Sequence, residues 1–200
     1  MTTAPAHTGF RSNARAVLAL GLPLVGSHVA QFALHVVDTI MLGWYSVTDL
    51  AAGALGATVF FVFFTMGVGY AHAVMPMVAT AAASGNDTDV RRVTRMGMWL
   101  SLAYAVLILP LFIFASPILG AMGQDPDVAR LGGAYLSVVG FGLGPALLAM
   151  VIKSYLAALG RTQVVLWITV AAVFVNIGVN WLLIFGNMGF PELGARGAAI

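Results

Sequence analysis

The stretch AVLALGLPLVGSHVAQFALHVVDTIMLG, residues 16–43, is the most informative part of the sequence, because it is a long apolar run that carries a single acid, Asp38. It exceeds the roughly 20 residues that a helix needs to cross a bilayer. Further runs of this kind follow, whereas a closed barrel would show short alternating strands. The sequence therefore predicts an all-α polytopic membrane helix bundle with five transmembrane helices and the start of a sixth. The predicted spans are about 16–44, 50–83, 96–122, 131–159 and 164–186, with the sixth starting near 194.

The amino-acid composition also indicates a membrane protein. About 60% of the residues are hydrophobic and 8% are charged, against roughly 25% charged residues in an ordinary soluble domain. A net charge of +2 is too small to indicate nucleic-acid binding. The absence of cysteine excludes disulfides and thiolate metal sites. We expect the bilayer as a partner and no nucleic acid, and we treat residues 16–200 as one membrane domain.

The distribution of arginine predicts the orientation, since loops rich in Arg and Lys stay in the cytoplasm. Arginines precede the first predicted span and follow the second and the fourth; they are Arg11, Arg15, Arg91, Arg92, Arg95 and Arg161. The other side holds Arg130 and Arg196, beside the acids Asp125 and Asp127. The segment 1–15 is therefore predicted to be cytoplasmic, in a multi-pass plasma-membrane protein.

The first span carries one polar stripe. His28, Gln31, His35 and Asp38 are spaced i, i+3, i+7 and i+10, so they share a helix face. A charged acid at the centre of a membrane helix costs roughly 2.5–3.5 kcal/mol on insertion scales, so it usually faces a cavity or a partner. The alternative is an interfacial acid that extends to the headgroups. Pro23 breaks the hydrogen-bond ladder of the same helix, which predicts a compliant point, or else a kink of packing origin.

Polar residues recur at seven-residue spacing in other spans as well. Thr65 lies on such a face in the second span, and Asn176 and Asn180 lie one turn apart in the fifth. Paired amides can offer carbonyl oxygens to a cation. They can equally be interhelical hydrogen-bond partners, worth about 1 kcal/mol.

The histidines within the spans raise the possibility of a metal or a haem. There is no i, i+4 histidine pair, and no Cys or Glu lies nearby to complete a metal shell. We therefore predict no metal and no cofactor, and we expect His28 and His35 to line a cavity. Lys153 lies near the cytoplasmic end of the fourth span, where extension of its side chain to the headgroups is the expected role.

Two functional classes are compatible with these residues. A secondary transporter fits an intramembrane acid, a kinked helix and polar faces on three helices. An intramembrane lipid-modifying enzyme usually needs paired acids or a nucleophile with its base, and Asp38 is the only acid well inside a span. The sequence thus favours a transporter and not an enzyme. A lipid-linked oligosaccharide flippase is the alternative, and it would be expected to show a strongly cationic cavity, whereas Lys153 stands alone in the sequence.

Three separated motifs resemble the MATE family of multidrug and toxic-compound extruders, most closely its NorM-like branch. They are VDTIMLG at 37–43, NIGVNWLLIFG at 176–186 and PELGARGAA at 191–199. The resemblance implies a transporter of two six-helix lobes, of which this chain would be the amino-terminal lobe; the carboxy-terminal lobe is expected as a partner and lies outside these 200 residues.

The resemblance also implies a function and a site. It implies alternating-access export of small organic cations across the bacterial inner membrane, driven by influx of sodium ions or protons. Asp38 matches the family's first-helix acid, and Asn176 and Asn180 match a polar pair beside it, so these three residues form the expected ion site. From the polar faces described above, we expect Gln31, His35, His28 and Thr65 to line the substrate cavity. Another branch of the family has an acid at the second amide position, where this chain has Asn180.

Overall fold

The computed structural model describes residues 10–184 of the chain. In that part all regular structure is helical, and the helices are α1 (Phe10–Tyr45), α2 (Val47–Ala83), α3 (Asp87–Ile113), α4 (Ala115–Ala121), α5 (Pro126–Ala158) and α6 (Thr162–Leu183). Five of them, all but α4, are long and apolar enough to cross a membrane. The predicted all-α membrane bundle with five spans is confirmed. The predicted sixth span near 194, the motif at 191–199 and the far end of the fifth predicted span lie outside the described residues.

The third predicted span, 96–122, differs from the observed helix at both ends. Helix α3 begins at Asp87 because the side chain of Asn86 caps it by accepting a hydrogen bond from the backbone N–H of Asp89 (3.1 Å). It ends at Ile113. Pro117 explains the break, since its ring would clash with the carbonyl of Ile113, four residues earlier, in a continuous helix. The last part of the predicted span is therefore the separate short helix α4.

The other long helices begin a few residues before their predicted spans, because polar residues at their ends continue the helix beyond the apolar run. Helix α5 begins at Pro126, where Asp125 caps the first turn by accepting from the backbone N–H of Asp127 (2.9 Å). Helix α1 begins at Phe10, inside the segment 1–15 that was predicted to precede the first span.

Three tight turns reverse the chain between helices. Gly85, Gly123 and Gly160 follow α2, α4 and α5 with φ of 70°, 84° and 71°, values that favour glycine. At each, two backbone hydrogen bonds close the helix end, as in the bond from Arg161 N–H to the carbonyl of Leu156 (2.9 Å). Each turn makes the helix that follows it run antiparallel to the helix before it.

Helix α5 is the centre of the bundle and packs against α2, α3 and α4, while α1 packs mainly against α6. Small residues allow the close approach. A Cβ atom built at Gly133 would lie 2.5 Å from the Cα of Ser116, and one at Gly140 would lie 2.8 Å from the Cβ of Phe112. Large apolar side chains such as Phe32, Trp99 and Leu107 are exposed on the outside, as expected of a surface that faces lipid.

Candidate functional site

Asp38 and the fifth-span amides meet where α1 packs against α6. The Nδ2 of Asn180 donates a hydrogen bond to Oδ1 of Asp38 (2.5 Å) and lies 3.3 Å from Oδ1 of Asn176, which it also donates to. The Asn176 side chain is itself within interaction distance of the Asp38 carboxylate. Asn180 is buried, with 2% of its surface exposed. The structure thus brings together the three residues that were predicted to bind the ion.

The geometry follows from the packing of two parallel helices, since Gly26 of α1 lies beside Leu166 of α6 and Asp38, further along α1, meets Asn180, further along α6. Asn176 and Asn180 are one helical turn apart on α6, so both side chains lie on the same side of that helix. Met41 of α1 and Ile184, just after α6, form a buried apolar cluster with Val37, Leu50 and Tyr135. Met41 follows Asp38 by three residues and Ile184 follows Asn180 by four, so the cluster packs α1 against α6 one turn beyond the site.

A cavity of about 240 Å³ opens beside the acid. His35 and Tyr135 are both close enough to interact with the charge of Asp38. The cavity is lined by His35, Asp38, Thr39, Leu50, Gly53, Ala54, Ala57 and Tyr135. One carboxylate, an imidazole and a phenol therefore share a small space that is closed mostly by small residues of α2.

Tyr135 is a site residue that sequence reasoning missed. Its ring packs directly on α2, since a Cβ atom at Gly56 would lie 2.5 Å from its Cδ1. The available signal was the concentration of small residues at 51–57 in α2, which leaves room for a large side chain from a neighbouring helix.

The other half of the predicted polar stripe lines a different cavity. This second cavity, of about 130 Å³, contains His28 and Gln31 of α1, together with His72 of α2 and Lys153 of α5. Ten residues of helix extend roughly 15 Å, and the two ends of the stripe face different neighbours, since α5 and α6 line the cavity at His28 whereas α2 and Tyr135 line the cavity at Asp38. Within this lobe His28 and Gln31 therefore line one cavity and His35 lines another, and their role in a substrate cavity stays a prediction.

Lys153 is the single lysine or arginine among the residues that line the second cavity. Its half-buried side chain lines the second cavity with two histidines and a glutamine instead of only extending to the headgroups. Within residues 10–184 no three His, Asp or Glu side chains gather as a metal site would require.

Two further predicted residues lie apart from both cavities. Thr65 is exposed on α2 and lines neither of them, so its role in a substrate cavity stays a prediction. Pro23 lies inside α1, which the structure shows as one continuous helix from Phe10 to Tyr45. Its role as a compliant point also stays a prediction.

Comparison with known proteins places the chain among membrane transporters. The MatE family model matches residues 23–182. The chain is 42% identical over 200 residues to a probable multidrug resistance protein NorM of Rhizobium meliloti (strain 1021), covering 100% of this chain and 43% of the relative. It is 42% identical over 199 residues to the protein of the same name from Agrobacterium fabrum (strain C58), covering 99% and 43%. The chain thus spans less than half the length of these relatives.

Solved structures of the same fold are also known. The eukaryotic MATE transporter AtDTX14 superposes with a TM-score of 0.85 at 19% identity, over 93% of this chain and 41% of that one. An outward-facing multidrug resistance MATE family transporter of the MOP superfamily superposes with a TM-score of 0.82 at 20% identity, over 92% and 40%. At these identities the likeness establishes the fold.

Proposed function

The chain belongs to the MatE family, and from this premise we propose that it forms the amino-terminal lobe of a secondary multidrug exporter. The exporter antiports small organic cations against sodium ions or protons by alternating access. The observation that carries the proposal is the hydrogen-bonded group of Asp38, Asn176 and Asn180, an acid with two amides inside the spans. The family consists of transporters, so an enzymatic role for Asp38 is set aside.

The three side chains can change between two bonding states. In the structure, Nδ2 of Asn180 lies between Oδ1 of Asp38 and Oδ1 of Asn176 and donates to both. A cation that took the place of this nitrogen would contact the same two oxygens. Turning the Asn180 amide over exchanges this nitrogen for its oxygen, so that a sodium ion could be held by one carboxylate and two amide oxygens. A protonated Asp38 could instead donate its O–H to an amide oxygen.

Coupling follows from competition for one negative charge. A bare carboxylate is costly in a low-dielectric environment, and a sodium ion, a proton or an organic cation each removes that cost. Influx of the ion therefore displaces the organic cation, and α1, with Pro23 as its compliant point, repacks between the two states. The coupling ion and the organic cation therefore bind at Asp38 alternately and never at the same time.

The size of the Asp38 cavity limits what this lobe does alone. At about 240 Å³ it is smaller than the 300–1,000 Å³ of typical drug-binding pockets. The charged group of a substrate fits there, beside the ring of Tyr135, which can contact a cation with its face. The rest of the substrate requires space between this lobe and a carboxy-terminal lobe.

The membrane potential does not drive such an exchange if one monovalent cation replaces another. Moving one charge across the membrane is worth roughly 2.3 kcal/mol per 100 mV, and opposite movements of equal charges cancel. The exchange then depends on the concentration gradient of the ion.

For the orientation, we propose a cytoplasmic amino terminus in the bacterial inner membrane. The beginning of α1 and the turn between α5 and α6 lie at the same end of the bundle, since a Cβ atom at Gly160 would be 3.8 Å from Cδ2 of Leu20. Antiparallel packing puts the turn between α2 and α3 at that end too. This end therefore carries the predicted cytoplasmic arginines, while Asp125 lies at the other.

A lipid-linked oligosaccharide flippase fits this lobe less well. Such a carrier needs a strongly cationic cavity for phosphate. The second cavity has one lysine and a volume of only about 130 Å³, which is too small for a headgroup that carries sugars.

Transport in membrane vesicles tests the proposal directly. Inside-out vesicles that contain the full-length protein are prepared without ATP, and a sodium or proton gradient is then imposed across their membrane. We expect accumulation of ethidium, a monovalent organic cation, that stops when the gradient is dissipated. Accumulation that requires ATP, or none with either gradient, would contradict the proposal.

A further inference from the structure

The second cavity contains a lysine that has no counterion among residues 10–184. Lys153 is half-buried, and it makes no hydrogen bond or ion pair with any other residue of the described part of the chain. The other polar groups of the cavity are those of His28, Gln31 and His72, with the hydroxyls of Ser27 and Ser154. Lysine, glutamine and histidine can all donate hydrogen bonds to an anion.

The four helices that line this cavity cannot supply an acid to it. Helices α1, α2, α5 and α6 contain three acids in all, namely Asp38, Asp49 and Asp127. Asp49 and Asp127 are each more than twenty residues from the cavity-lining residues of their own helices, which is roughly 30 Å along the axis. Asp38 is seven residues beyond Gln31, roughly 10 Å along α1, and it lines the other cavity, where it accepts a hydrogen bond from Asn180. Helix α3 does not line this cavity, and its Asp89 lies in a separate groove, where it accepts a hydrogen bond from Nδ2 of Asn86 (2.7 Å).

The beginning of α6 adds to the positive character of the site. Val165, in its first turns, lines the cavity, and no side chain caps the helix at Arg161. The amino terminus of a helix carries a partial positive charge that favours anions. The lysine ammonium and this helix end therefore both favour the binding of an anion.

The walls of the cavity indicate the kind of anion. Apart from the polar groups, the lining is apolar and includes Leu24, Met75, Met150 and Ala157. Methionine is flexible and adapts to irregular apolar ligands. A volume of about 130 Å³ admits a carboxylate with a small apolar group, and it excludes a whole drug-sized molecule.

We propose that this cavity is a second binding site, in which Lys153 pairs with the carboxylate of an amphiphilic organic anion while the methionines contact its apolar part. The site is distinct from the Asp38 site and lies at the other end of the polar stripe of α1. It gives the lobe one place for a cation and another for an anion. The proposal does not depend on ion-coupled transport, and the test below measures binding with no gradient.

Binding of benzoate to the full-length protein in phosphatidylcholine nanodiscs tests the proposal, with sodium concentration and ionic strength held constant. We expect saturable binding by calorimetry and a rise in the melting temperature, because a ligand that binds the folded state stabilises it. Benzamide has the same ring without the charge, and we expect no saturable binding of it. Acetate has the charge without the ring, and we expect at least tenfold weaker binding than for benzoate.

Substitutions locate the site. We expect Lys153→Gln to weaken benzoate binding at least tenfold and Lys153→Arg, which keeps the charge, to weaken it less than threefold. Arg95→Gln removes an exposed positive charge of α3 outside the cavity and should leave binding unchanged. Lys153→Met, which keeps the length and loses the charge, replaces Lys153→Gln if the latter does not fold.

Three results would overturn the proposal. They are a wild-type protein without saturable benzoate binding, equal affinities for benzoate and benzamide, and unchanged benzoate binding after Lys153→Gln. Acetate binding as tight as that of benzoate would contradict the amphiphilic assignment and indicate a site for free carboxylate ions. None of these results bears on Asp38, so failure here is distinguishable from failure of the proposed exporter.

Discussion

Asn180 and Asp38 are 142 residues apart in sequence and are joined by a hydrogen bond of 2.5 Å between the amide nitrogen of one and a carboxylate oxygen of the other. A charge-assisted bond of this length is among the stronger polar contacts in proteins. It joins α1 to α6 at the candidate ion site. A change in the charge of Asp38 therefore changes the strength of a hydrogen bond that holds α6.

The Asn180→Ala substitution separates an ion-binding role from a purely structural one. It removes the donor to Asp38, so we expect at least a tenfold loss of ion-driven efflux. The stability cost is about 1–3 kcal/mol for a buried polar group left unsatisfied, which is less than the usual 5–15 kcal/mol of a folded protein. Membrane abundance should therefore stay normal. Both quantities are measured in the same vesicles.

Gln163→Ala is the matched control, since it removes an exposed amide from the beginning of the same helix. It should change neither abundance nor efflux. If Asn180→Ala instead lowers abundance while efflux per molecule stays normal, the amides only hold the helices together.

The Asn180→Asp substitution should change the preferred coupling ion. It puts a second carboxylate beside Asp38, and two carboxylates at hydrogen-bond distance hold one proton between them. We expect efflux driven by a pH gradient to persist and any efflux driven by a sodium gradient to fall at least tenfold. The two gradients are imposed separately on vesicles of the same preparation. A variant with an unchanged ratio of the two activities would contradict this account of ion choice.

Labelling of single cysteines tests the proposed orientation. A cysteine at Ser84 or at Arg161 should react with an impermeant maleimide only from the cytoplasmic side, and one at Val47 only from the outside. These positions lie in the turns between helices or at a helix end, and Val47 is 80% exposed. Gly160 is less suitable because its φ of 71° strains any other residue. The opposite labelling pattern would reverse the orientation.

Gly133 tests the close packing of α5 on α4. The Cβ of Gly133→Ala would meet the backbone of Ser116 at 2.5–2.6 Å, and overpacking of this kind typically costs about 1–3 kcal/mol. Gly142→Ala, on the same helix, has no atom within 4 Å of the new Cβ and should be neutral or stabilising by up to about 1 kcal/mol. The measurement is thermal unfolding of both variants in nanodiscs. Equal melting temperatures for the two variants would show that the α4–α5 contact is looser than described.

The fold was predictable from the sequence because bilayer thickness constrains it so strongly. Apolar runs longer than 20 residues leave few alternatives, and the spans followed from length alone. The bounds of α3 were less accessible, because hydropathy does not report a cap such as Asn86 or the effect of Pro117 on the helix before it. Helices continue past the membrane boundary wherever local capping allows it.

The candidate site was predictable in part, and for a different reason. Periodicity puts His28 and Asp38 on one face of α1, but it cannot say which neighbouring helix each of them meets. Lys153 and Tyr135 contribute to the two cavities from α5, and only tertiary packing brings them there. The pairing of Asp38 with Asn180 was expected from family resemblance, since no local pattern connects residues so far apart.

Gradient-driven efflux by the Asp38→Asn variant is the decisive measurement of whether Asp38 couples ion influx to export. The substitution keeps the shape of the side chain and removes its charge, so neither a sodium ion nor a proton can compete with the organic cation there. In vesicles of the full-length protein we predict efflux at background level, weakened but detectable ethidium binding, and normal membrane abundance. Asp127→Asn, which changes an exposed acid beside Arg130, should transport normally. Unimpaired gradient-driven efflux by Asp38→Asn, at matched abundance, would contradict the account and leave Asp38 as an interfacial acid without a role in coupling.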